Sequence, residues 1–267
     1  MLPLRDRNPT SRRAWVTLAL IGGNVLAFLV WQPTFEGVRR QDAFYFCNAL
    51  VPYEVTHATN LTEGGEPARR AVSRDLDDPN AGPEVQRLVG RECPRKTWAL
   101  PLLVAMFLHA GWLHLGGNML FLWVFGNNVE DRLGHLRYLA FYLAGGVAAS
   151  ALQIAFDPGS AIPNLGASGA IAAVLGAYIV MFPRARVLTL VFLFVPVWVP
   201  AFVVLGSWFV LQFFDGVGGL GTDVNSGVAS WAHVGGFVAG VVGAWLLFPR
   251  GAVRPPAAIP PRPDAAW

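Results

Sequence analysis

Long apolar runs and short polar segments alternate along most of this chain. About 20 apolar residues are enough for a helix to cross the hydrocarbon core of a bilayer. Six runs reach or approach that length, at residues 14–31, 98–125, 138–156, 166–182, 187–214 and 230–248. The pattern therefore predicts an all-α polytopic membrane protein with six transmembrane helices.

The polar segments give the rest of the organisation. Residues 1–13 form a basic N-terminus, and residues 250–267 form a Pro-rich tail whose composition is typical of disorder. One long hydrophilic segment, 32–97, separates the first helix at 14–31 from the other five helices, which occupy 98–249. We therefore expect a helical core with an enlarged first loop.

Arginines in the short loops indicate how the helices are oriented. The loops at 157–165 and 215–229 contain no Arg or Lys, whereas the connections on the other side carry arginine pairs. These pairs are Arg132 and Arg137, Arg184 and Arg186, and Arg250 and Arg254. Because cytoplasmic loops are enriched in such residues, both termini are expected in the cytoplasm and segment 32–97 outside it.

The composition agrees with a membrane location. Charged residues make up 14% of the chain and hydrophobic residues 54%, whereas soluble domains carry about 25% charged residues. The basic residues are scattered, which gives no support to a nucleic-acid partner. Cys47 and Cys93 both lie in the long hydrophilic segment, where an oxidising compartment permits a disulfide, with two free thiols as the alternative.

Polar side chains inside the apolar runs are costly and usually functional, and four of them are singled out here. In the predicted topology Ser168 begins the fourth helix and His233 lies one turn into the sixth, so both are near the outer surface. His114 and Asn118 are four residues apart in the second helix and share one of its faces. The topology predicts one outward-opening site built from three helices.

These residue types are suited to nucleophilic hydrolysis. A serine hydroxyl is a weak nucleophile until a base such as imidazole takes its proton, which pairs Ser168 with His233. The free N–H groups at the start of a helix, together with the Asn118 amide, would stabilise an oxyanion. Asp215 and Asp223 are expected in loops. The prediction is therefore a Ser–His dyad without a carboxylate.

Small residues favour close packing of the fourth and sixth helices. Gly236 and Gly240 share the face of His233, and the fourth helix carries Gly169, Ala172, Ala173 and Gly176. Each feature also has a structural interpretation. A serine in a membrane helix usually bonds to its own backbone, and His114 and Asn118 could simply join helices. The occurrence of all four polar residues at one depth favours a site.

Three short motifs resemble, in order and spacing, those of the rhomboid family of intramembrane serine proteases. They are HLGGN at 114–118, GASG at 166–169 and AHVGG at 232–236. Supporting similarities are His109, EDRLG at 130–134, FPRAR at 182–186 and a short patch at 46–55. The resemblance extends over residues 98–250.

This resemblance implies a six-helix rhomboid core with Ser168 as nucleophile and His233 as base. His114, Asn118 and the backbone N–H of Ser168 would form the oxyanion hole. The implied activity is cleavage of single-span membrane proteins near the outer face of the lipid bilayer through an acyl-enzyme, without metal or cofactor. The implied location is a bacterial plasma membrane, which the protein crosses several times.

Two other functions are compatible with parts of the pattern. A non-catalytic rhomboid-like protein that binds membrane helices would be recognised by loss of the serine or the histidine, and both are present. A transporter is compatible with six helices, but the chain has no paired inverted repeat and no carboxylate in the inner part of a helix.

Residues 56–97 resemble an insertion that could shape substrate access, bind a partner or be a tolerated surface feature.

Overall fold

The computed structural model describes residues 1–192, 194–219 and 229–247. The predicted tail at 250–267 and Asp223 lie outside these ranges.

Long helices dominate the described residues. They are α1 (Trp15–Leu26, continued by a π-helical turn at Ala27–Trp31), α7 (Trp112–Leu133), α8 (His135–Phe156), α9 (Ser168–Met181), α10 (Ala201–Gly219) and α11 (Ser230–Leu247). By length and composition α8, α10 and α11 could each cross a membrane, and Trp15–Trp31 and α9 are shorter apolar helices. This architecture confirms the predicted all-α polytopic fold.

The predicted second span is displaced along the chain. Residues assigned to its first half form a short helix α6 (Pro101–Val104) and a 3-10 turn (Ala105–Phe107), and α7 begins only at Trp112. The helix then continues beyond 125, the predicted end of the second span, as far as Leu133. The predicted end of the second helix was wrong because the polar side chains after residue 125 bond to the N-terminal part of the chain. These bonds satisfy them within a helix.

Glu130 is the clearest of these side chains. Its carboxylate, 1% exposed, accepts hydrogen bonds from the N–H groups of Val16 (2.9 Å) and Thr17 (2.7 Å). These N–H groups belong to the first turn of α1, which has no partner for them within the helix. A carboxylate also suits the positive end of the helix dipole. Glu130 therefore fixes the start of α1 against the end of α7, and His135 Nδ1 lies 2.6 Å from its Oε1.

The predicted fifth span was wrong in its first half. Residues 186–200 form an antiparallel hairpin, β2 (Arg186–Val191) and β3 (Val195–Pro200), and α10 begins at Ala201. The N-terminal strand β1 (Leu2–Asp6) pairs with β2, giving a three-stranded sheet in the order β1-β2-β3. A continuous apolar run does not distinguish helix from strand. Pro196 and Pro200 lie on the edge strand, where a missing N–H donor is tolerated.

The long hydrophilic segment folds into helices of its own. They are α2 (Val38–Asn48), α3 (Pro52–Thr56), α4 (Gly65–Asp75) and α5 (Ala81–Glu92). Their buried side chains form a small core separate from that of the membrane helices. A disulfide joins Cys47 to Cys93, which confirms the bridge that the sequence favoured.

Helix α9 lies at the centre of the membrane helices and is buried along almost its whole length. A Cβ atom added to Gly236 or Gly240 of α11 would collide with the backbone of Gly169 or Ala173 of α9. A Cβ on Gly176 of α9 would likewise collide with the backbone of α11. The predicted close packing of the fourth and sixth helices is confirmed, and it requires glycine at these contacts.

Candidate active site

Ser168 is the first residue of α9 and follows a sharply turned segment. Gly166 has φ +125°, a backbone conformation that residues other than glycine rarely adopt. Its N–H donates to the carbonyl of Ala105 (2.8 Å). A Cβ at Gly166 would also lie 2.8 Å from His114 Nε2. Glycine is therefore required both by the turn and by the imidazole packed against it, which explains the GASG motif.

His233 Nε2 lies 2.8 Å from Ser168 Oγ, a hydrogen-bond distance. The two residues come from α11 and α9, the helices that pack through glycine against backbone. Ser168 is thus bonded to another side chain across helices. Ser207 of α10 illustrates the structural alternative, since its hydroxyl donates to the carbonyl of Val204 in its own helix (3.0 Å).

His114 presents a hydrogen-bond donor beside Ser168. Its Nδ1 accepts the backbone N–H of Ala110 at 3.2 Å. A neutral imidazole that accepts at Nδ1 carries its proton on Nε2. This Nε2 packs against Gly166, two residues before Ser168. The geometry therefore directs an N–H toward the space next to the serine hydroxyl.

Asn118 lies one turn after His114 on α7 and is 8% exposed. Its amide nitrogen donates to the carbonyl of His114 at 2.8 Å. That bond uses one of the two amide hydrogens. The four residues expected at one site thus come together as a bonded Ser168–His233 pair, with His114 packed beside it and Asn118 bonded to the backbone of His114.

Helix α10 adds residues that the sequence analysis did not include. The carboxamide of Gln212 contacts His233 Nδ1, and the Trp208 ring lies 5.7 Å from the imidazole centroid. Gln212 is a polar residue inside an apolar run. The same signal identified His233, so Gln212 could have been found in the same way. Asp215 was wrongly expected in a loop: it lies in α10 and accepts a bond from the hydroxyl of Ser230, at the start of α11.

A second missed residue holds the segment before α7. Gln32 Nε2 donates to the carbonyl of His109 (2.9 Å), and Gln32 Oε1 accepts the His109 N–H (2.9 Å). Both backbone groups of His109 are therefore satisfied at a point where the chain is not helical. The His109 ring packs edge-on against His114 with 5.0 Å between centroids. Gln32 was predicted to begin a hydrophilic loop, and nothing in its local pattern indicated this contact.

Comparison with known proteins identifies the class. The Rhomboid domain family matches residues 94–250, which is more than half of the chain. The chain belongs to the rhomboid family and is a multi-pass membrane protein.

Its relatives come from bacteria and from mitochondria. "Rhomboid protein 1, mitochondrial" of Saccharomyces cerevisiae is 32% identical over 160 residues, covering 57% of this chain and 42% of the yeast protein. "Rhomboid protease GluP" of Bacillus subtilis is 34% identical over 146 residues, covering 55% and 25% of the two chains. "Presenilin-associated rhomboid-like protein A, mitochondrial" of Danio rerio is 38% identical over 93 residues, covering 34% and 24%. The chain thus spans less than half the length of each of these relatives.

Proposed function

We propose that this protein is an intramembrane serine endopeptidase in which Ser168 is the nucleophile and His233 the general base. The observation that carries the proposal is the 2.8 Å contact between Ser168 Oγ and His233 Nε2, made between two apolar helices. A nucleophile and a base within hydrogen-bond reach are the geometric signature of covalent catalysis. The similarity to a B. subtilis rhomboid protease agrees with this chemistry.

The proposed reaction has two steps. His233 Nε2 takes the proton of Ser168 while Oγ attacks the scissile carbonyl carbon, and the resulting imidazolium returns the proton to the leaving amine. Water then hydrolyses the acyl-enzyme with the same base. Both steps pass through an oxyanion. His114 Nε2–H, the second amide hydrogen of Asn118 and the N–H of Ser168 are the proposed donors, and losing one such donor typically costs about 3–4 kcal/mol of transition-state stabilisation.

The proposed substrates are single-span membrane proteins with a segment near the outer face of the bilayer that unwinds readily. A scissile bond inside a regular helix is not available to a nucleophile. Its carbonyl accepts a hydrogen bond from the N–H four residues later, and its backbone is enclosed by side chains. We further propose that the protein resides in a bacterial plasma membrane with both termini in the cytoplasm, as the arginine pairs in its loops favour.

The proposal is tested with a fluorophosphonate probe and a panel of single-span substrates, using purified protein in liposomes. Labelling and cleavage are expected for the wild type and for Ser207→Ala, a membrane serine that bonds within its own helix. Ser168→Ala and His233→Ala are each expected to lose both by at least about 10³-fold, because the two residues act as a unit. Cleavage that persists in Ser168→Ala would refute the proposal. Substrate binding by the wild type without labelling or cleavage would favour a non-catalytic helix-binding protein.

A further inference from the structure

The side of His233 that faces away from Ser168 is occupied by α10. The carboxamide of Gln212 contacts Nδ1 of His233, while Nε2 contacts Ser168 Oγ at 2.8 Å. Trp208, one turn earlier on α10, packs its ring 5.7 Å from the imidazole at a tilt of 42°. Both ring nitrogens of His233 are therefore engaged, and the imidazole plane is held between two helices.

The chemistry of the dyad requires one tautomer of His233. Nε2 must be free of hydrogen to take the proton of Ser168, so a neutral imidazole must carry its hydrogen on Nδ1. An Nδ1–H inside the membrane requires an acceptor, since an unpaired polar group there is costly. Gln212 Nε2 now lies against Nδ1. A half-turn of the carboxamide exchanges nitrogen and oxygen with almost no change in shape, and it presents Oε1 as that acceptor.

Gln212 can do this without adding charge. The described titratable groups that act electrostatically on His233 are His114 of α7 and Asp215 of α10. Asp215 lies three residues after Gln212 and accepts the hydroxyl of Ser230. The position facing Nδ1, which a carboxylate fills in a Ser–His–Asp triad, is filled here by a neutral amide.

We infer that Gln212 is the positioning residue of the dyad, accepting the Nδ1–H of His233 through Oε1 and so selecting the tautomer that activates Ser168. This inference rests on the proposed function. It concerns the geometry of His233, which can be observed apart from proteolysis.

The first test uses Gln212→Met, which keeps length and apolar packing but removes the acceptor, and Gln212→Glu, which keeps the acceptor and adds a charge. Gln212→Met is expected to lower kcat about 10- to 100-fold with KM unchanged. Gln212→Glu is expected to retain most of the kcat at alkaline pH. As the pH falls, its activity should be lost at a higher pH than that of the wild type, because a carboxylate stabilises the imidazolium. Leu211→Met, at an adjacent side chain that is 67% exposed, is the matched control and should not change kcat.

The second test is ¹⁵N NMR of histidine-labelled protein in micelles, with the His233 signal assigned by its loss in His233→Ala. The wild type is expected to carry the His233 proton on Nδ1, and Gln212→Met to shift it toward Nε2. Full kcat in Gln212→Met, or a tautomer that does not respond to this substitution, would overturn the inference. A wild type that cleaves no substrate while its tautomer still depends on Gln212 would instead overturn the proposed function alone.

Discussion

The membrane helices and the extramembrane segments of this protein are held together by different forces. Helices α9 and α11 meet backbone to backbone, at glycines where even a methyl group does not fit. The extramembrane segment 32–97 is joined by a disulfide and by an ion pair between Glu54 and Lys96 (2.5 Å), whose side chains are 1% and 2% exposed. In a bilayer the surroundings are as apolar as the helices, so close packing replaces hydrophobic burial as the source of association. A small core in water gains stability from cross-links.

The two regions meet at the segment that leads to Ser168. Leu50 and Asn164 exchange two backbone hydrogen bonds (3.0 and 2.7 Å), and Tyr53 N–H donates to the carbonyl of Ser160 (2.8 Å). The Asp75 carboxylate accepts the N–H of Ala161 at 2.6 Å. Segment 32–97 is therefore bonded along the loop that ends at Gly166. Within the insertion-like residues 56–97, Asp75 makes one of these contacts with the loop before α9.

Outside the Ser168–His233 pair, the largest effect on activity is expected where the helices touch without side chains. Gly240→Ala places a methyl group on the backbone of Ala173, so α9 and α11 must separate. Overpacking of this kind costs roughly 1–3 kcal/mol or more. A displacement of about 1 Å at a catalytic pair can cost on the order of 10²-fold in rate. We expect proteolysis and probe labelling of Ser168 to fall by at least about that factor.

The matched control is Gly206→Ala on α10, where a Cβ would meet nothing within 4 Å. Alanine is the better helix former by roughly 1 kcal/mol, so this variant should be as stable as the wild type or more so. Equal behaviour of the two alanine variants, in thermal unfolding and in labelling rate, would show that glycine contacts do not determine the packing of the core.

An effect on local stability rather than on activity, confined to segment 32–97, is expected from the buried ion pair. Burial raises the pKa of Glu54 and lowers the pKa of Lys96, and each charge opposes the shift of the other. Lys96→Met leaves the carboxylate buried without its cation, which typically costs about 3–5 kcal/mol. Segment 32–97 should then be cleaved faster in limited proteolysis, while the membrane helices stay protected.

Two further variants separate charge from packing at this site. The double substitution Glu54→Gln with Lys96→Met removes both charges and should recover most of the lost stability, because no unpaired ion remains. Arg95→Met changes the exposed neighbouring cation and should leave the proteolysis pattern unchanged. If the double variant is as labile as Lys96→Met, the pair contributes through shape and hydrogen bonding rather than charge.

The contrast between the regions also explains what could be predicted from the sequence. The helices and the pairing of Ser168 with His233 follow from apolar length, small-residue spacing and polar residues at one depth. The strand pairing of 186–200 could not be predicted, because an apolar run of that length fits a helix equally well. The contact of Gln32 with His109 depends on residues 77 positions apart. Such contacts are tertiary, and no local pattern encodes them.

The smallest effect is expected at the opposite end of the helices, where one carboxylate joins β1 to α7 and α9. Asp6 Oδ2 accepts hydrogen bonds from Asn128 Nδ2 (2.8 Å) and from the Tyr178 hydroxyl (2.5 Å). Burial raises the pKa of Asp6 from 3.8 to about 6. A group whose pKa is raised by folding contributes stability below its unfolded value and loses that contribution as the pH rises through its folded value. At pH 7.5 the buried carboxylate is ionised, at a cost on the order of 3 kcal/mol.

Asp6→Asn keeps an acceptor for both donors and removes the charge at every pH. Thermal unfolding in detergent should therefore show the variant to be more stable than the wild type at pH 7.5, by at most about 3 kcal/mol, with the difference vanishing near pH 4. Asp131→Asn, which changes a carboxylate in an exposed bond to Ser11, is the control and should show no such gain. A less stable Asp6→Asn at pH 7.5 would mean that cations near β1 stabilise the ionised carboxylate. The attachment of the sheet to the helices would then depend on charge, as the stability of segment 32–97 is expected to do.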